Sequence, residues 1–234
     1  MTAPYPPPSF VVTVTPEDSL VTARTRMSVH RIRHLPVVGP ENQVIGIITD
    51  RDLRSACPWS RDENAGHEEK LWEFSKLKVA DVMTANPHTI SPESTLQDVL
   101  ALFRETRVGA LPIVDEGLRV VGIVSEADLL DGFLEILGTD GPGTFVGVQC
   151  EDRPDALQRA VDILTEEAYG IGSVLSLKSW LEGRRILFLF LATKNIARAR
   201  KILEENGFDT MDPMEWFLNR FQSSQTKENV ERAC

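Results

Sequence analysis

Cysteine is scarce: Cys57, Cys150 and Cys234 are the only three in 234 residues, an odd number with no CxxC spacing. That excludes a disulfide framework and a zinc ribbon, and it points to reduced thiols in a reducing compartment. Cys234 reads as an exposed thiol without a role. Long apolar runs are missing too, and none approaches the roughly 20 residues of a membrane-spanning helix. The first ten residues, MTAPYPPPSF, lack the basic start and apolar stretch of a secretory signal. The chain is therefore expected to be soluble and cytoplasmic, with no membrane partner. Positive charge is also short, with 25 Lys and Arg against 35 Asp and Glu and a net charge of −10. Broad nucleic-acid binding, which depends on neutralising phosphates, is disfavoured. The hydrophobic fraction, 42%, is that of an ordinary folded protein, long enough for one large domain or two small ones.

What the sequence does contain is a repeat. Pro36 and Pro112, Gly46 and Gly122, and Asp52 and Asp128 are each 76 positions apart (112 − 36), as are Leu20 and Leu96, Leu35 and Leu111, and Val38 and Val114. The alignment runs without a gap from Thr13 to Leu53 and back again from Thr89 to Leu129. Each repeat reads as β-α-β-β-α. A β-branched strand (VVTV or HTI) leads to Thr15-Pro16 or Ser91-Pro92, and Ser19 or Thr95 caps a helix. The apolar face of that helix is Leu20, Ala23 and Met27 in the first repeat. In the second it is Leu96, Val99, Leu100 and Phe103. Strands HLPVV and VIGII, or ALPIV and VVGIV, follow, and a second helix starts at Thr49 or Ser125. One such unit cannot cover both faces of its small sheet, so the two should pack together.

Between the repeats lies a long polar stretch that turns helical at EEKLWEFSKLK, where Leu71, Trp72 and Phe74 can pack. After them, GTDGPGT is a glycine-rich break. The remainder reads β-α-β-β-α-β, the ferredoxin-like order, closed by a polar tail. The expected limits are 1–57 and 80–137 for the two repeats, with linkers at 58–79 and 138–143. The third domain is expected at 144–217 and the tail at 218–234.

The residues GIITDRDL (46–53) and GIVSEADL (122–129) carry the chemistry. Thr49 and Ser125 stand between a strand and a helix, where the first backbone N–H groups lack helical partners. Such a terminus suits phosphate oxygens. Asp52 and Asp128, three residues on, could accept hydrogen bonds from two vicinal ribose hydroxyls. Equally, Thr/Ser-x-x-Asp is a capping box, stabilising by about 0.5–2 kcal/mol without any ligand. The repeats also differ in charge. From Leu20 to Ser55 there are six arginines, including Arg51 in the first helical turn, against three acids. From Leu96 to Asp131 there are three arginines against seven acids, and Ala127 stands where Arg51 does. The first cleft is expected to favour several phosphates, and the second AMP, adenosine or another weakly charged adenosyl compound. A solvated arginine face or a dimer contact would give the same pattern.

HLPVV…GIITDRDL and ALPIVD…GIVSEADL, with DVMTANPHTISPESTL between them, resemble a tandem pair of CBS domains. The last unit, opening VQCEDRPDALQRAV, resembles an ACT domain, and the order CBS-CBS-ACT is similar to the AcuB family of acetoin-utilisation proteins. The resemblance implies an α+β fold, a CBS pair followed by a ferredoxin-like ACT-type domain. It also implies a non-enzymatic regulatory protein. No cofactor is required; AMP, ADP, ATP or S-adenosylmethionine would be the regulatory ligand. A homodimer through the CBS pairs or the ACT-like domain is implied, as is a regulated partner protein not identified by sequence. Carried over, the ligand-binding positions are Thr13, Val14, Arg33, His34, Pro36, Thr49, Arg51 and Asp52 in the first repeat. In the second they are Thr89, Ile90, Ala110, Pro112, Ser125 and Asp128. Asp155 departs from the ACT pattern, standing where amino-acid-binding members carry glycine. A scaffold with empty clefts and an accessory protein of acetoin catabolism remain as alternatives. The spacing of His30, His34, Asp50 and Asp52 fits no tight metal set, and no catalytic set is visible.

Overall fold

A computed structural model describes residues 11–56, 74–139, 141–178 and 183–219. Cys57, Leu71, Trp72, Cys234 and most of the polar tail lie outside these residues. The chain divides into two compact units, Met1–Leu129 and Leu130–Cys234.

In the first unit the repeat of sequence is a repeat of structure. Helix α1 (Leu20–His30) starts at Ser19, whose hydroxyl accepts the Thr22 N–H at 3.1 Å, and buries Leu20, Ala23 and Met27. Strands β1 (His34–Val38) and β2 (Val44–Thr49) form an antiparallel pair, and α2 (Asp50–Ala56) follows directly. A two-residue strand β3 (Thr84–Ala85) adds to β2. The second repeat gives α3 (Leu96–Thr106), β4 (Ala110–Val114), β5 (Val120–Ser125) and α4 (Glu126–Ile136), with β4 and β5 in the same register as β1 and β2. Both first helices end on an arginine in the left-handed region, Arg31 (φ 55°) and Arg107 (φ 58°), also 76 residues apart. The two repeats meet across an internal two-fold on which Gln43 bridges its own equivalent, Arg119.

Three expectations change. The strands VVTV and HTI shrink to single parallel bridges, Val14 to Val37 and Ile90 to Ile113. Pro16 and Pro92, two residues on, have no N–H to continue a ladder, and the chain turns there. In α3, Leu96 (44% exposed) and Leu100 (40%) stay at the surface, whereas Leu20 is fully buried. Leu20 is covered because segment 77–79 lies on it, with the Leu20 N–H on the Leu77 carbonyl and a bridge from Ser19 to Lys78. No equivalent bridge reaches Thr95 among the described residues. Finally, Phe74 and Val79 belong to the first repeat's core, so the end of the expected linker is structural.

The second unit contains β6 (Thr144–Glu151), α5 (Ala156–Glu166), β7 (Ile171–Lys178), β8 (Arg184–Leu191), α6 (Ala197–Glu205) and β9 (Asp209–Met211). Its sheet runs β7-β8-β6-β9 with every neighbouring pair antiparallel. Strand β8 is apolar from Ile186 to Leu191, where both of its faces are covered. Leu187, Leu189 and Leu191 share a core with Ala160 and Leu164 of α5 and Leu203 of α6. Ile186 and Phe188 face the other way, onto Trp216. Trp216 sits in helical residues 213–219, which the sequence reading missed. Trp216 and Phe217 were the available signal, two adjacent aromatics just before a polar tail.

Candidate functional site

Each repeat ends its second strand in a strand–helix corner. In the first, β1–β2 pairing sets His34 opposite Thr49 and Pro36 opposite Ile47. In the second, Ala110 lies opposite Ser125 and Pro112 opposite Ile123. The corner residues Thr49 and Asp52 cap reciprocally. Asp52 Oδ2 accepts the Thr49 N–H (2.8 Å) and hydroxyl (2.7 Å), and Thr49 Oγ1 accepts the Asp52 N–H (3.3 Å). Ser125 and Asp128 repeat this at 2.7, 2.7 and 3.2 Å.

This geometry narrows what a ligand could use. The Asp50 N–H is taken by the Arg33 carbonyl at 2.9 Å, and the Glu126 N–H by the Gly109 carbonyl at 3.2 Å. Among the described residues one first-turn donor stays spare in each corner, the N–H of Arg51 or of Ala127, where several were expected. Asp52 and Asp128 each keep Oδ1 without a partner among the described residues. The Arg51 side chain is exposed on the first turn of α2 and makes no ion pair among the described residues, while Asp50 is held by Arg54 at 2.9 Å. Gly46 and Gly122 are explained by internal packing. A Cβ on Gly46 would fall 2.6 Å from Met83 Sδ beside β3, and one on Gly122 would fall 2.9 Å from an Ile113 methyl.

His34 joins the two corners. A Cβ on Gly109 would fall 2.8 Å from His34 Nε2, so the imidazole of one repeat lies against the backbone of the other. Across the two-fold the equivalent pair is Ala110 and Arg33, with the bulk exchanged. Gly109→Ala is expected to cost about 1–3 kcal/mol by overpacking. His34→Ala should restore most of that loss, and additive costs in the double variant would count against the contact.

Burial, with Arg33 alongside, lowers the pKa of His34 from 6.5, while Asp128, Glu126 and Asp52 act to raise it. The unfolded chain therefore takes up this proton first as pH falls. Stability should drop as pH falls through the ordinary histidine range around 6.5, and His34→Ala should flatten that part of the melting-temperature profile. A parallel profile in the variant would contradict the assignment.

The remaining positions lie further along the strands. The Val14 N–H donates to the Pro36 carbonyl at 3.1 Å, and the Ile90 N–H to the Pro112 carbonyl at 3.0 Å. Thr89 and Ile90 line a cavity of about 570 Å³ whose walls include none of Ala110, Pro112, Ser125 and Asp128. The structure thus gathers Arg33, His34, Thr49, Arg51 and Asp52, and likewise Ala110, Ser125 and Asp128, while Thr89 and Ile90 adjoin Pro112 further along the neighbouring strand. Among the described residues no three His, Cys, Asp or Glu side chains stand close enough to hold a metal ion. No described helix is long and apolar enough to cross a membrane.

In the second unit, Arg153 clamps Asp155 bidentately at 3.0 and 3.1 Å. This holds the Asp155 carboxyl below its ordinary range. Asp155 has ordinary right-handed torsions (φ −87°, ψ −10°), so the turn needs no glycine. Cys150 is buried, which pushes its thiol pKa up and leaves little thiolate.

Two α-β-β-α halves, each led in by a single bridge, paired about an internal two-fold and closed by a Thr/Ser–Asp corner, define a tandem-repeat module. The CBS domain family matches this chain over residues 8–58 and 79–135. A CBS domain-containing protein of Dictyostelium discoideum is 36% identical over 127 residues, which is 53% of this chain and 86% of that protein. The chain belongs to the CBS domain family and carries a tandem CBS pair. Inosine-5′-monophosphate dehydrogenase of Korarchaeum cryptofilum is 34% identical over 119 residues, 51% of this chain, but only 21% of the enzyme's length is spanned. Among solved structures, a CBS domain pair in complex with 5′-methylthioadenosine and S-adenosyl-L-methionine is 27% identical, covering 56% of this chain and 93% of its own, with a TM-score of 0.44. CBSX2 from Arabidopsis thaliana is 23% identical over 56% of this chain and 90% of its own, with a TM-score of 0.46.

Proposed function

We propose that the protein is a non-enzymatic regulator whose CBS pair binds adenosine-containing ligands (AMP, ADP, ATP or S-adenosylmethionine) and transmits occupancy to a partner or to its own assembly. The observation that carries this reading is the duplicated corner. Each has a carboxylate with one free oxygen, a spare first-turn N–H and an adjoining strand that ends at His34 or Ala110. A ribose diol fits the free Oδ1 of Asp52 or Asp128, and a phosphate oxygen fits the spare N–H. Thr13, Val14, Pro36, Thr89, Ile90 and Pro112 complete the proposed ligand-binding set along the strands.

Arg33 and Arg51 would draw the more highly phosphorylated ligands to the first corner. In calorimetric titrations, Arg51→Ala is expected to weaken ATP and ADP more than AMP, by about tenfold for ATP, the scale of a charge-assisted hydrogen bond. Equal weakening of all three would remove this assignment.

The sheet order of the second unit, with α5 and α6 on one face, supports a ferredoxin-like, ACT-type domain within 144–217. The closed Arg153–Asp155 clamp supports assembly rather than amino-acid binding for it. The surface side chains Val29, Leu96 and Leu100 on α1 and α3 support a homodimer through the CBS pair. The resemblance of this domain order to CBS-CBS-ACT supports, as part of this reading, an AcuB-type role in acetoin utilisation. One observation favours the scaffold reading with empty clefts: both capping boxes and both strand glycines are accounted for without a ligand. Thermal shifts of the full chain with AMP, ADP, ATP and S-adenosylmethionine separate the two readings, because a ligand that binds only the folded state raises the melting temperature. No shift with any of the four favours the scaffold.

A further inference from the structure

The two repeats part company at Gly132. Its equivalent 76 positions earlier (132 − 76) is Ala56, which packs against the first repeat's core. Gly132 stands in the middle of α4 without a positive φ, and a Cβ there would meet nothing within 4 Å outside the helix's own backbone. Neither a turn nor a close approach requires the glycine. Glycine is the weakest helix former short of proline, so it loosens α4 with no packing in return.

Little else holds this stretch. Helix α4 buries none of its residues, and Leu130, Leu134 and Ile136 are exposed. Its charged side chains, Glu126, Asp128, Asp131 and Glu135, are all acidic. Asp131 and Glu135 stand four apart, a like-charge pair that destabilises a helix, and Glu135 lies near the negative end of the helix dipole. Helix α3 has the same length, 11 residues, but buries Val99 and Phe103.

The two ends of α4, by contrast, are fixed. The Ser125–Asp128 box starts the helix, and Leu129 packs against the second repeat's core. At the other end the Leu137 carbonyl accepts the Ser173 hydroxyl of β7 at 2.7 Å, and Gly138 turns the chain at φ 66°. The Leu134 carbonyl accepts the Thr139 N–H and hydroxyl at 3.2 and 2.9 Å. The division into two units falls between Leu129 and Leu130, inside this helix.

We infer that α4 is a hinge, opening at Gly132, through which the two units change orientation. The helical turns around the glycine open and reclose while both anchored ends stay formed. The hinge lies along the chain between the Ser125–Asp128 corner and β7, and it holds whether or not that corner takes a nucleotide.

Hydrogen exchange on the full-length protein tests the opening. Amides 131–136 are expected to exchange faster than amides 101–106 of α3, and Gly132→Ala should slow them about fivefold. Glu135→Lys, which makes the like-charge pair attractive, should slow them too. Orientation is read from spin labels on the exposed positions Glu105→Cys and Lys201→Cys, in a Cys57→Ser/Cys234→Ser background. The distribution of label distances should be broad and should narrow in Gly132→Ala. Unchanged exchange in either variant, or a distance distribution of equal width with and without Gly132→Ala, would overturn the hinge.

Discussion

Asp52→Ala and Asp128→Ala together are expected to abolish adenine-nucleotide binding, each lowering affinity at its own corner by about a hundredfold. A hydrogen bond to a charged group contributes about 1.5–3 kcal/mol, and a ribose diol offers two donors to one carboxylate. Both aspartates also cap a helix, so each variant should lose about 0.5–2 kcal/mol of stability as well. The chain supplies its own control for that second effect. Thr95 and Asp98 form a capping box of nearly the same geometry, at 2.6 and 3.0 Å, at the start of α3. Asp98→Ala should therefore lose a similar amount of stability and leave nucleotide affinity unchanged. If Asp98→Ala weakened nucleotide binding as much as Asp128→Ala did, the aspartates would be acting through folding alone.

Trp216→Ala is expected to be the most destabilising single change in the second unit, at about 3–5 kcal/mol. Trp216 is 6% exposed, lies edge-on to Phe188 at 5.1 Å between ring centroids, and packs on Ile186, Leu177 and Met211. Its removal uncovers the face of β8 opposite α5 and α6. For a unit of this size the corresponding melting transition, followed by scanning calorimetry, should fall by about 20 °C. A fall of only a degree or two would mean that residues 213–219 do not cover the sheet.

The repeat was legible because its signals are local. Leu-Pro pairs, strand glycines and Thr/Ser-x-x-Asp corners recur at one spacing, and the structure reproduces them in register, down to the left-handed Arg31 and Arg107. What the sequence hid depends on partners distant in the chain. Leu20 and Leu96 are the same residue at equivalent positions, yet only Leu20 is covered, by a segment more than fifty residues away. His34 reads as one more strand residue until Gly109 is found beneath its ring. Gly46 resembles a ligand-approach glycine, but Met83 and Thr84 occupy that side. The spare donors were overestimated for the same reason, since the Arg33 and Gly109 carbonyls reach back to take them. The helix carrying Trp216 has too short a periodic pattern to announce itself.

The central claim is that the duplicated corners hold an adenosyl ligand. Isothermal titration of the full-length protein with AMP and with ATP tests it most directly. The account predicts saturable heats for at least one nucleotide, lost in the Asp52→Ala/Asp128→Ala variant and kept in Asp98→Ala. No saturable heat from either nucleotide, or binding that survives the double aspartate substitution, would contradict it.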